Sequence, residues 1–376
     1  MRDAAKGWPR LLPGPAAGRA AASAMIAAVM AVMALAVMAL AVMAVPPAAM
    51  AQQGSPPATG KAAPPAAGVA PHLNLEELLS AVVRVRTSIN PDARTVENLG
   101  RERDGSGVVI DDSGLILTIG YLMVEAYAAD VITNDGRKVP ATVVGYDNDT
   151  GFGLLRALEP LKVRPMPIGK SAAVKEREPV LAASFGGMAG VAPAMVASRR
   201  EFVGNWEYLV EDAFFTTPAH NLWSGAALIS RDGKLVGLGS LIVGDALGKG
   251  SRAPGNMYLP IDLLPPILAD LIAEGHSSAP PRPWLGISVN EAGGALVLGR
   301  VTPDSPAERA GLQKGDVISG VGGKRASDRA ALYREIWAAG KAGDTIPVDV
   351  VRAGEKQRIS VPSMNRLDHL KLKTTF

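Results

Sequence analysis

Short runs of Val, Ile and Leu alternate with turn dipeptides from Leu73 onward for about 200 residues. In residues 108–118 (VVIDDSGLILT) a Ser-Gly pair separates two apolar runs. Residues 129–146 place Asn134-Asp135-Gly136 between two more, and residues 226–243 are split by Asp232-Gly233. Apolar runs joined by such turns predict antiparallel hairpins, and their spacing predicts barrels or a sandwich. The period changes at residues 261–274 (IDLLPPILADLIAE), where Leu264, Leu268, Leu271 and Ile272 fall on one helical face. Asp262 is placed to cap that helix and Pro265-Pro266 to form its first turn. Residues 275–283 (GHSSAPPRP) predict a linker. Beyond it a unit of about 80 residues, a common domain size, predicts strands at 285–289, 295–301, 346–351 and 357–361. Two short helices are predicted in it, at 305–310 and 328–339.

The N-terminal pattern is different. Residues 20–45 carry no charge. Arg2, Lys6, Arg10 and Arg19 precede them, Pro46-Pro47 closes the run, and Ala49-Met50-Ala51 supplies small residues at a cleavage spacing. This predicts a secretory signal peptide over residues 1–51, cleaved near Ala51. The apolar run is also long enough to span a bilayer, so an uncleaved inner-membrane anchor is the competing expectation. In either case the remainder is exported, to the periplasm. Residues 52–72, rich in Pro and Ala, predict a disordered linker.

Composition narrows the chemistry. The chain has 376 residues, no Cys and four His, which excludes a disulfide framework, thiol catalysis and Cys-based zinc sites. His72, His220, His276 and His369 show no metal-binding spacing, and no cofactor or metal is expected. His72, His276 and His369 are expected to be exposed. The net charge is +3, and the leader holds four bases against one acid, so the exported part is formally neutral. No nucleic-acid partner is expected from that balance. Arg199-Arg200 is expected as a solvated loop pair, and Phe214-Phe215 as core or subunit surface.

Several segments together resemble the HtrA/Deg family of envelope serine proteases. They are GSGVVIDDSGLILT (105–118), NDGRKVPATVVGYD (134–147), SGAALISRDGKLVGL (224–238), WLGI (284–287) and PDSPAERAGLQKGDVISGVGGK (303–324). The resemblance implies a mainly β chain: a trypsin-like double antiparallel β-barrel followed by a small α+β PDZ domain. The implied organisation is a protease-like domain at 73–275, a linker at 276–283, a PDZ domain at 284–363 and a tail at 364–376.

The family's serine chemistry needs a nucleophile, a base beside it and a carboxylate orienting the base. Ser224 stands at the nucleophile position. Tyr121 stands where the family has its histidine, and a phenol that titrates near 10 does not take a serine proton at neutral pH. Gly151 stands where the aspartate belongs, with Asp149 two residues earlier. Leu222 replaces the glycine two before the nucleophile, whose N–H helps form the oxyanion hole. The resemblance therefore implies a degenerate member with Ser224 as a vestigial nucleophile. The alternative is a serine endopeptidase with a rewired site at Ser224, using His220 or Asp149. For the PDZ part the resemblance implies a carboxylate loop at Trp284, Leu285, Gly286 and Ile287, which takes peptide C-termini along a sheet edge; the alternative is a groove covered by packing on the barrel. The expected partners are unfolded or C-terminal peptide segments of envelope proteins. A homotrimer or a mixed assembly with an active homologue is a further expectation. Membrane contact is expected only through an uncleaved leader.

Overall fold

The computed structural model describes residues 74–372. The leader, the cleavage motif, the Pro/Ala-rich segment and His72 lie outside the described residues. Six antiparallel strands close a first barrel: β1 (Val82–Ile89), β2 (Glu102–Val109), β3 (Leu115–Ile119), β4 (Ala126–Ile132), β5 (Lys138–Tyr146) and β6 (Phe152–Ala157), in the order β1-β2-β3-β6-β5-β4. Six more close a second: β7 (Pro179–Ala183), β8 (Val191–Val203), β9 (Leu209–Thr217), β10 (Ala227–Ile229), β11 (Leu235–Val243) and β12 (Gly255–Pro260), in the order β10-β11-β12-β9-β8-β7. The chain is mainly β, and closure removes the open edges that such strands would expose.

The three turn signatures form hairpins. β2 pairs with β3 around Val109 and Ile116, β4 with β5 around Ile132 and Lys138, and β10 with β11 around Ile229 and Leu235. β3 reads LILTI without alternation because every residue in it is buried, as expected of a strand covered on both faces. One apolar cluster runs from Leu79 through Phe152 and Phe215 to Leu271, so both barrels share it.

A separate sheet follows: β13 (Ile287–Ala292), β14 (Ala295–Val301), β15 (Val317–Val321), β16 (Lys324–Arg325), β17 (Thr345–Arg352) and β18 (Glu355–Pro362). Its order is β13-β14-β15-β17-β18, with β16 beside β15. Helix Pro306–Arg309 starts at Ser305, whose side chain accepts from the Glu308 N–H. Helix Arg329–Ala338 is capped by Asp328, whose carboxylate accepts from the Ala331 N–H. Its buried residues Leu332, Tyr333 and Ile336 join Leu285, Val289 and Val348 in a second core.

Four expectations are corrected. Arg199 and Arg200 lie in β8, not in a loop. Their guanidinium groups sit 4.3 Å over the ring of Phe214 and 3.6 Å over that of Phe215, so both are packed rather than solvated. Asp262 does not cap the helix after it; its carboxylate accepts from the N–H groups of Ser171 (2.9 Å) and Ala172 (2.8 Å). Residues Ile261–Leu263 form a 3-10 turn and the α-helix begins only at Pro265. Leu264 and Leu271 are buried, but residue 272 lies about 100° around the helix from residue 271, so Ile272 falls at the edge of the apolar stripe and is 45% exposed. His369 is buried, on the short helix Arg366–His369, with its ring 4.7 Å from that of Trp284.

Candidate functional site

β3 delivers the chain into a 3-10 turn, Gly120–Leu122, that carries Tyr121. The turn is fixed from two sides. The Gly120 N–H donates to the Gly151 carbonyl at 2.7 Å. From β2, buried Arg103 donates to the carbonyls of Tyr121 (2.7 Å) and Val124 (3.1 Å) and to Thr95 Oγ1 (2.6 Å). Burial lowers the Arg103 pKa to about 10, against the opposing charge of Glu125, so the guanidinium stays cationic at neutral pH. Glu125 is itself buried and accepts from the N–H groups of Arg94, Thr95 and Lys371 and from the Thr95 hydroxyl. Burial alone would raise its pKa, but these donors hold it below the ordinary value.

The Tyr121 hydroxyl reaches across to the second barrel. It lies 2.9 Å from Ser224 Oγ and 2.8 Å from the Ser240 carbonyl oxygen. The phenol has one proton and a carbonyl can only accept, so Tyr121 donates to Ser240 and the Ser224 hydroxyl donates to the phenol oxygen. Burial pushes the Tyr121 pKa up to about 12. Ser224 therefore rests against a neutral hydroxyl with no basicity at neutral pH.

The third position is closed. Gly151 has φ +85°, a left-handed conformation that disfavours any side chain. A Cβ there would stand 2.9 Å from the Tyr208 hydroxyl, which donates to the Thr150 carbonyl at 2.6 Å. Asp149 is not turned to Tyr121 but pairs with Arg282 at 3.1 Å. Burial raises the Asp149 pKa, and the Arg282 charge opposes that. His220 holds Asn256 through its backbone, the N–H donating to Oδ1 at 2.6 Å and the carbonyl accepting from Nδ2 at 3.0 Å. Its Nε2 is buried without a partner, burial lowers its pKa, and among the described residues no hydrogen bond joins it to Ser224. Leu222 is half exposed and is not among the residues that line the cavity around Ser224. Sequence reasoning gives Tyr121 and Ser224 two of the triad's places, and the structure brings their hydroxyls into contact; it does not bring Asp149 or His220 to them.

The segment Trp284–Ile287 makes a cradle of N–H groups with an occupant. Glu207, on the turn between β8 and β9, accepts from the N–H groups of Leu285 (2.8 Å), Gly286 (2.8 Å) and Ile287 (3.0 Å). Its carboxylate is buried; desolvation raises its pKa and the three donors oppose that rise. Gly286 has φ +86°, and a Cβ there would meet Ser305 Cβ at 2.2 Å, so only glycine shapes this loop. Trp284 contributes no donor to the cradle; it pairs with Met364 and packs its ring at a tilt against that of His369. Between cradle and cleft lies a cavity of about 760 Å³ whose lining includes Tyr121, Ser224, Trp206, Tyr208 and Arg300. Sequence reasoning missed Arg103, Glu125, Glu207 and Tyr208, because each acts on a residue distant in sequence and no local motif marks it.

Comparison with known proteins matches residues 105–238 to a trypsin-like peptidase domain and residues 283–362 to a PDZ domain. Over 312 residues the chain is 30% identical to "Protease Do-like 1, chloroplastic" of Arabidopsis thaliana, spanning 76% of this chain and 69% of that protein. This chain belongs to the HtrA/Deg family. It is also 27% identical over 289 residues to "Probable periplasmic serine endoprotease DegP-like" of Rhizobium meliloti (strain 1021), but spans only 55% of that relative's length. A solved structure, "HtrA-type protease AlgW with decapeptide", is 23% identical with a TM-score of 0.48, covering 80% of this chain and 98% of that one. Within this HtrA-type chain the trypsin-like match spans Tyr121, Gly151 and Ser224, and the PDZ match begins just before the cradle.

Proposed function

We propose that this HtrA-type chain is a proteolytically inactive member of its family. It binds exposed segments or C-termini of envelope proteins and serves a chaperone-like or regulatory role in their quality control. In this reading residues 73–275 form the inactive protease-like domain and residues 284–363 the peptide-binding one. The observation that carries the reading is the partner of Ser224: a buried phenol whose own proton is committed to the Ser240 carbonyl. Loss of a triad base costs about six orders of magnitude in kcat where it has been dissected. The closed position at Gly151 opposes repair of the site by a carboxylate there. The names of bacterial relatives support a periplasmic location.

The test is direct. Purified protein is expected to resist labelling by a fluorophosphonate at Ser224 and to leave unfolded casein intact. Casein cleavage that disappears in Ser224→Ala overturns the reading in favour of a rewired endopeptidase.

A further inference from the structure

The loop between β8 and β9 is seated in the PDZ groove as a ligand would be. A bound C-terminus offers a carboxylate to the loop N–H groups and adds its backbone to the adjacent strand. Here both interactions are made by the chain itself. The Glu207 carboxylate takes the N–H groups of Leu285, Gly286 and Ile287. Two residues back, the Asn205 carbonyl accepts from the Val289 N–H of β13 at 2.8 Å. Val203 packs against the core beneath the groove. Across the groove, Arg334 of helix Arg329–Ala338 binds Glu201 of β8 and Glu211 of β9, the latter at 2.9 Å. Glu207 is held at φ +52°, which directs the turn into the cradle against the preference of a non-glycine residue. A carboxylate 6% exposed, bonded to three N–H groups and preceded by a strand-like contact, is more than a surface ion pair.

We propose that Glu207 is an internal ligand of the PDZ groove, and that a foreign C-terminal carboxylate enters only by displacing it. The proposal rests on the peptide-binding reading above and adds a competitor to it. The chain terminus and Glu207 require the same three donors, so their occupancies exclude one another. A groove open for only a fraction of the time binds its ligand more weakly by that fraction.

Two measurements on the full chain test this. The first is amide hydrogen exchange in wild type, Glu207→Ala and the near-isosteric Glu207→Gln. Exchange at Leu285, Gly286, Ile287 and Val289 is expected to accelerate at least tenfold in Glu207→Ala and by less in Glu207→Gln, with barrel amides unchanged. Unchanged exchange at the cradle in both variants overturns the proposal. The second is capture on an array of peptides with randomised C-terminal residues, printed as free acids and as amides. Glu207→Ala is expected to retain at least ten times as much free-acid peptide as wild type, and neither protein to retain the amides. Equal capture by wild type and variant overturns the internal ligand and leaves peptide binding standing. Capture by neither overturns the competition and the peptide-binding reading together.

Discussion

Replacing Gly151 by alanine tests whether the triad's carboxylate position is sterically shut. The change adds one methyl group, and two costs follow from the structure. At φ +85° a β-carbon adds ~1–2 kcal/mol of backbone strain. The new Cβ would also sit 2.9 Å from the Tyr208 hydroxyl. Tyr208 is buried at the end of the β8–β9 turn, so its ring must shift and its bond to the Thr150 carbonyl must lengthen or break. A buried polar group left without its partner costs ~1–3 kcal/mol. Together the change is expected to destabilise the domain by about 3 kcal/mol, or about 6–12 °C in Tm at ~2–4 °C per kcal/mol. Thermal unfolding followed by circular dichroism measures it. In a Tyr208→Phe background the contact is gone and only the backbone part, ~1–2 kcal/mol, should remain. A Gly151→Ala protein that melts within about 1 °C of wild type, a shift under ~0.5 kcal/mol, refutes the reasoning. So does an equal cost in both backgrounds. Aspartate, larger than alanine, meets the same obstruction.

Tyr121→His puts an imidazole beside Ser224 but supplies no carboxylate to orient it; casein should remain uncut, since an orienting aspartate alone is worth about 10⁴ in kcat. Cleavage above background by that variant would contradict the account of Gly151. Arg103→Met strips charged donors from the Tyr121 and Val124 carbonyls and from Thr95 Oγ1, so a chemical denaturation midpoint should report a loss of ~1–3 kcal/mol. His369 contributes to the pH dependence. Its pKa is lowered to about 4, first by burial and then by the Arg94 charge, so the unfolded chain binds its proton more tightly. Stability is therefore fully present above about 6.5 and declines as pH falls towards 4, by up to ~3 kcal/mol, or about 2 after partial screening by water. His369→Gln should flatten that part of the curve of Tm against pH, and an unchanged slope would show that another group titrates there.

The hairpins around Ser113-Gly114, Asn134-Asp135-Gly136 and Asp232-Gly233 were legible because turn chemistry and apolar runs are local properties of the chain. Tyr121, Gly151 and Ser224 were legible for a related reason: each stands at a fixed offset from a recognisable strand motif. His369 was misjudged as exposed because its distance along the chain from the barrels hid the Trp284 ring it packs against. The same holds for Arg199 and Arg200, whose charges said solvent while the cross-strand rings of Phe214 and Phe215 said packing.

The sequence by itself determined the mainly β architecture, the PDZ unit and the absence of a histidine and an aspartate from the serine's motifs. Strand period, turn residues and the identity of a side chain need no partner to be read. Only the tertiary structure decided what fills the vacated places. It set the Tyr121 hydroxyl between Ser224 and Ser240, closed Gly151 with Tyr208 and seated Glu207 in the cradle of Leu285, Gly286 and Ile287. Those contacts join residues about 60–120 positions apart, and they exist only because barrel closure and sheet packing bring distant turns together.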